Sequence, residues 1–327
     1  MTPMKKQLHF LWLGLLFSLN SFATEPVTIR LGILEFGTAA WEVQTLQSAK
    51  LDESGKFKLT IHPLANPEAG KIALQSGAVD IIVSDWIWVS KLRSMGADYS
   101  FYPYSNVSGG LVVTENSPIK TLNDLKDKRL GIAGGELDKN GLLMQAVFQK
   151  QGNSEIASSI EKVYGAPPLL NQQMLSNRLD AVMTYWHFAA KLEAQGYRQI
   201  INGQALIKTL GIEEEVPTLG YVFKQSWAER HKQALTGFLQ ATRQARALLC
   251  ESDEAWQKIL PLTQTDDTNT QSVLRKRYCE GTVKRWGSHE KNAANRIYHI
   301  LKTVSHNKLT GKNDNLQPGT FWVTDQE

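Results

Sequence analysis

Residues Ala78–Lys91 read AVDIIVSDWIWVSK. Ile81, Ile82 and Val83 make a short, β-branched apolar run of the kind that becomes a strand buried on both faces. Ser84 and Asp85 are good helix N-caps, so the strand is expected to pass directly into a helix. Trp86 and Trp88 stand two apart, and two positions apart on a helix point to nearly opposite sides. Trp86, nearer the strand end, is expected to offer an aromatic platform to a ligand, and Trp88 to fill core.

Working outward, the same alternation recurs. VTIRLGIL (27–34) and FKLTIHP (57–63) read as strands, and 38–50 as a helix. Asn66 caps the next helix with Pro67 at its first position, where the missing N–H costs nothing, and Gly77 ends it. This β-α-β-α-β order predicts a parallel sheet with helices on both faces. A second round follows: a strand at 129–133, a helix at 138–149, a strand near 160–163, a helix near 168–177 and a strand at 179–185. Two extended segments, GGLVVTENSP (109–118) and VPTLGYVFK (216–224), read as crossings between lobes. The remainder is mostly helical, and Phe321-Trp322 is expected to dock on the first lobe. The fold class is α/β, with two doubly wound sheets joined by two hinge strands. The first lobe spans 24–112, the second 113–216, and 217–327 returns to the first.

Residues 1–23 stand apart. Lys5-Lys6 precede LHFLWLGLLFSL (8–19), too short an apolar run to span a bilayer, and Ser21 and Ala23 suit cleavage before Thr24. They are expected to be a signal peptide. Over the whole chain 36 basic residues face 32 acidic ones, a near-balance that argues against nucleic acid as a partner. Cys250 and Cys279 are the only cysteines; after export they form a disulfide or stay as two buried thiols. Without CxxC or histidines at ligand spacing no metal site is expected. GxSxG and P-loop motifs are absent, and HEKNA (289–293) has Ala293 where a zincin needs its second histidine. No enzyme is expected.

In order and spacing, LGILEFG, ALQSGAVDIIVSDW, LNDLKDKRLGIAGG and RLDAVMTYWH resemble the periplasmic solute-binding proteins of ABC importers, in the branch for sulfonates, nitrate and thiamine precursors. SDWIWVSKLR, GIAGGELDK, APPLLNQ and YWHFAAKL are similar to a subgroup associated with methylotrophy and with pyrroloquinoline quinone (PQQ). The resemblance implies a type II periplasmic binding protein, located in the periplasm and monomeric. Its partner would be an ABC permease in the inner membrane. No cofactor is required for activity, and PQQ is the bound ligand the subgroup suggests, with sulfonates, thiamine precursors and riboflavin-like molecules as alternatives.

In an open α/β sheet, ligands sit beyond the carboxyl ends of the strands. Four loops qualify. The first holds Glu35, Phe36, Gly37, Thr38 and Trp41, with Thr38 able to cap a helix and Phe36 and Trp41 able to wall a cleft or fill core. The second holds Ser84, Asp85 and Trp86. The third holds Gly134, Gly135, Asp138 and Lys139, where free N–H groups ahead of a helix favour an anion. The fourth holds Thr184, Tyr185, Trp186 and His187. Trp86 and Trp186 are expected to close on a planar anionic ring from opposite lobes, with Gly134, Gly135 and Lys139 at its anionic end.

Overall fold

The computed structural model describes residues 25–324; the signal peptide expected at 1–23 lies outside them. The first lobe runs β1 (Val27–Leu34), α1 (Ala39–Ser48), α2 (Leu51–Ser54), β2 (Phe57–Leu64), α3 (Pro67–Ser76), β3 (Ile81–Asp85), α4 (Trp86–Arg93) and β4 (Tyr99–Ser105). The second runs β5 (Gly109–Val113), β6 (Arg129–Ala133), α5 (Lys139–Lys150), α6 (Ser154–Ser159), β7 (Glu161–Gly165), α7 (Pro167–Leu175), β8 (Ala181–Tyr185), α8 (Trp186–Ala194), β9 (Arg198–Asn202) and α9 (Gly203–Thr209). The chain then returns through β10 (Leu219–Lys224), α10 (Gln225–Arg230), α11 (Lys232–Glu251), α12 (Asp253–Ile259), α13 (Thr268–Glu280) and α14 (Ser288–Val304).

The sheets share one plan. Lobe 1 has the order β2-β1-β3-β10-β4 and lobe 2 the order β7-β6-β8-β5-β9. In each, one strand delivered by a crossing, β10 or β5, lies antiparallel between two neighbours. The sheets are therefore mixed, where a purely parallel pattern was expected. The local signals behave as read: Asn66 Oδ1 accepts the Ala69 N–H, Pro67 starts α3, and Gly77 closes it at φ +77°. Asp85 caps α4 by accepting the Trp88 N–H.

The lobe boundary lies earlier than expected. Lobe 2 begins at Gly109, so the first crossing is 106–108, and the second falls between Thr209 and Leu219. Gly109 and Gly110 look like linker but pair with Tyr185 and Thr184 in the sheet. A Cβ at Gly109 would collide with the Thr184 carbonyl, so glycine here permits close strand approach. Gln204 Nε2 ties the two crossings together, donating to the carbonyls of Asn106 (3.1 Å) and Val216 (3.0 Å).

The return segment also departs from the expected assignment to lobe 1 alone. α11 packs on α1, while α13 packs on α8 and α14 on α5, both in lobe 2. α14 buries Ala293, Ala294, Ile297, Tyr298 and Leu301 along one face. Arg277 on α13 holds Glu193 of α8 through two bonds of 2.9 Å. Cys250 and Cys279 are joined with Cα atoms 5.7 Å apart, linking α11 to α13. Cross-links of this kind typically contribute about 2–4 kcal/mol.

Trp86 is not a ligand platform in this structure. Its side chain is fully buried, its Nε1–H donates to the Pro217 carbonyl at 2.9 Å, and Phe321 meets it edge-on. The cause is β10: Leu219 pairs with Asp85, which brings the second crossing over the start of α4. Trp88 is the half-buried one, tilted against Tyr99 with Lys71 over its ring. The tail docks on lobe 1 as expected, with Phe321 against Trp86, Phe101 and Trp286 and Trp322 against Phe223. Trp86→Ala should therefore cost about 3–5 kcal/mol in urea unfolding, with Trp88→Ala costing clearly less. Equal costs would contradict this placement.

Candidate functional site

Because both sheets follow one plan, the loops after β1 and β3 in lobe 1 and after β6 and β8 in lobe 2 lie at the carboxyl edges. The four sequence-predicted loops are these four, and the lobes meet through them. Lys139 Nζ of lobe 2 lies 2.7 Å from Asp85 Oδ2 of lobe 1. Phe36 and Phe188 make an edge contact at 6.2 Å, and Trp41 and Trp186 another at 6.0 Å and 86°.

Asp85 and Lys139 each sit at a helix start. Asp85 is the N-cap of α4, and Lys139 is the first residue of α5, after its cap Asp138. Burial pushes the Asp85 carboxyl upward, but the Lys139 and Lys71 ammonium groups and the Trp88 N–H outweigh it and hold its pKa below the ordinary value. Burial likewise disfavours the Lys139 charge, and Asp85 and Asp138 outweigh that, so its pKa is raised. The pair is ionised on both sides.

Asp138 differs. Its carboxylate accepts the Gly141 N–H at 2.8 Å, yet desolvation dominates and lifts its pKa to about 6. Tyr185, on the adjacent strand end, has its hydroxyl pushed up by burial and by the Asp138 charge. Thr184 is buried and its Oγ1 makes no hydrogen bond within the protein. Gly134 and Gly135 both hold positive φ, +94° and +89°, which a side chain would strain.

The remaining expected residues divide. Glu35 is exposed, and Phe36 and Gly37 are half-buried. Thr38 is buried at the start of α1, but its side chain makes no capping bond, contrary to expectation. Ser84 is buried beside Asp85. Trp41 is buried and serves partly as core, with Nε1–H donating to the Leu262 carbonyl and Trp256 at 5.5 Å. Trp186 is half-buried against Trp41 and Tyr278. The facing indoles are thus Trp41 and Trp186, where Trp86 and Trp186 were expected, and in this closed arrangement they fill each other's space edge-to-face.

His187 is buried, and burial first and the Lys191 charge second pull its pKa down to about 3, so its ring is neutral. It lines a cavity of about 10 Å³ with Phe36, Thr38 and Lys191, bounded by Leu262 and Gln264 of the return segment. That is space for about one water. Lys191 was not anticipated, although its position four residues after His187 places both on one face of α8. Leu262 and Gln264 had no local signal. Also unforeseen is the support beneath the loops: Glu42 accepts from Tyr278 (2.6 Å) and Tyr221 (3.1 Å) and pairs with Arg246 at 2.7 Å. Arg246 in turn lies over the Tyr104 and Tyr278 rings.

Residues 57–255 match the family model described as NMT1/THI5 like, and the chain belongs to that family. Among solved structures it is similar to the alkanesulfonate-binding protein SsuA from Xanthomonas axonopodis pv. citri, determined with MOPS bound. The identity is 18% and the TM-score 0.68, over 92% of this chain and 99% of that one. The periplasmic aliphatic sulphonate-binding protein SsuA from Escherichia coli matches at 17% identity and TM-score 0.71, over 91% and 92% of the two chains. The two-lobed fold of periplasmic binding proteins is thereby established. No curated protein sequence matches the chain.

Two outcomes follow from the charges. Lys139→Met removes the nearest counter-charge of Asp85 and should cost about 3 kcal/mol, much of it regained in the Asp85→Asn/Lys139→Met double variant; strict additivity would mean the pair does not interact. Asp138 binds its proton more tightly folded than unfolded. Its contribution is therefore present below about pH 4 and lost as pH rises through about 6. Asp138→Asn keeps an oxygen for Gly141, so its stability relative to the native chain should grow by roughly 1–3 kcal/mol across that window. A pH-independent difference in urea unfolding would contradict this.

Proposed function

We propose that this protein is the substrate-binding component of an ABC importer, exported to the periplasm, which takes a small acidic molecule between its lobes and presents the closed form to an inner-membrane permease. The carrying observation is the Asp85–Lys139 pair, which spans the lobes at the strand carboxyl ends. Beside it stand the unpartnered Thr184 hydroxyl, the Tyr185 phenol and the Gly134–Gly135 backbone. A ligand with an acidic group replaces Asp85 as the partner of Lys139 and gains charge-assisted bonds in a desolvated place. Asp85 keeps its bond from the Trp88 N–H throughout. Because the ligand touches both lobes only when they are shut, binding draws the population toward the closed form.

For ligand class, the sulfonate reading has the better support. The two solved relatives named above carry sulfonate-binding titles and share this fold. An aliphatic sulfonate also needs no flat wall. The quinone reading keeps Trp41 and Trp186 as facing indoles but loses Trp86, and a PQQ ring enters only if those two indoles separate. The role is binding, not catalysis; steady turnover of any bound ligand by the purified protein would overturn it.

The test is a melting series and calorimetric titration of the mature protein with ethanesulfonate, taurine, MOPS, nitrate, a thiamine precursor, riboflavin and PQQ. A small sulfonate should raise the melting temperature saturably, by the equivalent of about 2.7 kcal/mol at a hundredfold excess over Kd. Lys139→Met should weaken that affinity at least tenfold. Stabilisation by PQQ alone would restore the quinone. No shift with any candidate would remove the importer reading.

A further inference from the structure

The two oxygens of Asp85 have different partners. Oδ1 accepts the Trp88 N–H at 2.9 Å within lobe 1, and Oδ2 meets Lys139 Nζ at 2.7 Å across the seam. A ligand that separates the pair therefore leaves the helix cap intact and frees two opposite charges, one on each lobe. Their surroundings are weighted toward negative charge. Lys71 also acts on Asp85, but Glu68 holds it at 2.7 Å, and the Glu68 carboxylate acts in turn on the Tyr185 phenol. Lys139 has a second carboxylate beside it, that of Asp138. Asp138 spends Oδ1 on the Gly141 N–H, and a side chain at Gly134 would come 3.5 Å from its Oδ2 and from the Tyr185 hydroxyl. Lys139 and Lys71 thus stand among Asp85, Asp138 and Glu68. Lys191 stands apart, near the Phe188 ring.

An acid without a cation suits this setting poorly. It takes Lys139 from Asp85, sets a further negative charge beside Asp138, and leaves Asp85 only the lysine already shared with Glu68. Charges withdrawn from water are costly unless each has a partner in place. A ligand that carries an ammonium group as well as an acid replaces both members of the pair at once. Its ammonium bonds to the freed Asp85 Oδ2. Its acid bonds to Lys139, with the unpartnered Thr184 hydroxyl and the Tyr185 phenol as further donors. The charge balance of the seam is then the same with the ligand as without it.

We propose that the ligand is a zwitterion, an acid and an ammonium group on one short chain, with the ammonium on Asp85 of lobe 1 and the acid on Lys139 of lobe 2. The proposal rests on the binding-protein reading above and narrows it: Asp85 becomes the residue that selects the ligand, and a plain anion such as nitrate or an alkyl sulfonate is disfavoured. Each end of the ligand addresses a different lobe, so the two charges of the protein mark where the two charges of the ligand go.

Calorimetric titration of the mature protein with matched pairs tests it. Taurine is compared with isethionate, and β-alanine with 3-hydroxypropanoate, each pair differing only in ammonium against hydroxyl; ethylamine supplies the cation alone. Whichever acid the site takes, the ammonium member should bind at least about tenfold tighter than its hydroxyl partner, and ethylamine should bind far more weakly than either. Asp85→Asn keeps an oxygen for the Trp88 N–H and removes the charge, so in that variant the ratio should fall to within about threefold. Equal affinity within both pairs in the native protein would overturn the proposal and leave the binding-protein reading standing, as would a ratio that Asp85→Asn does not change. If no member of either pair binds, the zwitterion is overturned, and the importer reading falls with it only when the wider ligand series above also fails.

Discussion

Asp85 serves two elements at once, and the arrangement of the molecule follows from that. Its carboxylate ends β3 and starts α4 by accepting the Trp88 N–H, which fixes its position within lobe 1. The same group then meets Lys139, the first residue of α5 in lobe 2, at 2.7 Å. Neither charge is stable alone in that setting: burial works against both, and each is held ionised by the other. A pair of this kind contributes little net stability, but removing one partner is costly. Under the function proposed above, that asymmetry would suit a switch, with an acidic ligand taking over Lys139 while Asp85 retains its cap.

Around this contact the chain forms two lobes, each with its own sheet, joined by two crossings and by the return helices. Both sheets use one strand order, and each accepts a crossing strand as an antiparallel insert next to its edge. The crossings therefore begin inside the sheets, and Gln204 binds them to each other. The return helices add a second set of ties. Arg277 grips Glu193 and α14 covers α5, so closure engages the back of the molecule as well as the cleft. Beneath the lobe 1 loops, the Glu42–Arg246 pair and its tyrosines give the β1 and β4 ends a fixed floor.

Much of this was legible in the sequence wherever the signal was local. Asn66 and Asp85 cap the helices they were expected to cap, and the four strand-end loops were located because strand ends can be read from periodicity and caps. What was not legible depended on distant chain. Gly109-Gly110 carries the same composition whether it is a linker or a tight strand contact, and only the neighbouring β8 decides. Trp86 became core instead of a ligand platform because the covering residue, Pro217, arrives with the second crossing. Lys139 was read as a cation awaiting a carboxylate, but nothing local shows that Asp85 is the carboxylate it meets. Lys191 and Gln264 become neighbours only when α8 and the return helices are packed.

The central claim is that the Asp85–Lys139 ion pair and the aromatic contacts at the strand carboxyl ends join the two lobes. Small-angle X-ray scattering of the ligand-free mature protein in low salt tests it directly. The account predicts a profile that the closed arrangement fits, with Lys139→Met shifting it toward a larger radius of gyration. An extended, open profile for the native chain, unchanged by Lys139→Met, would contradict it.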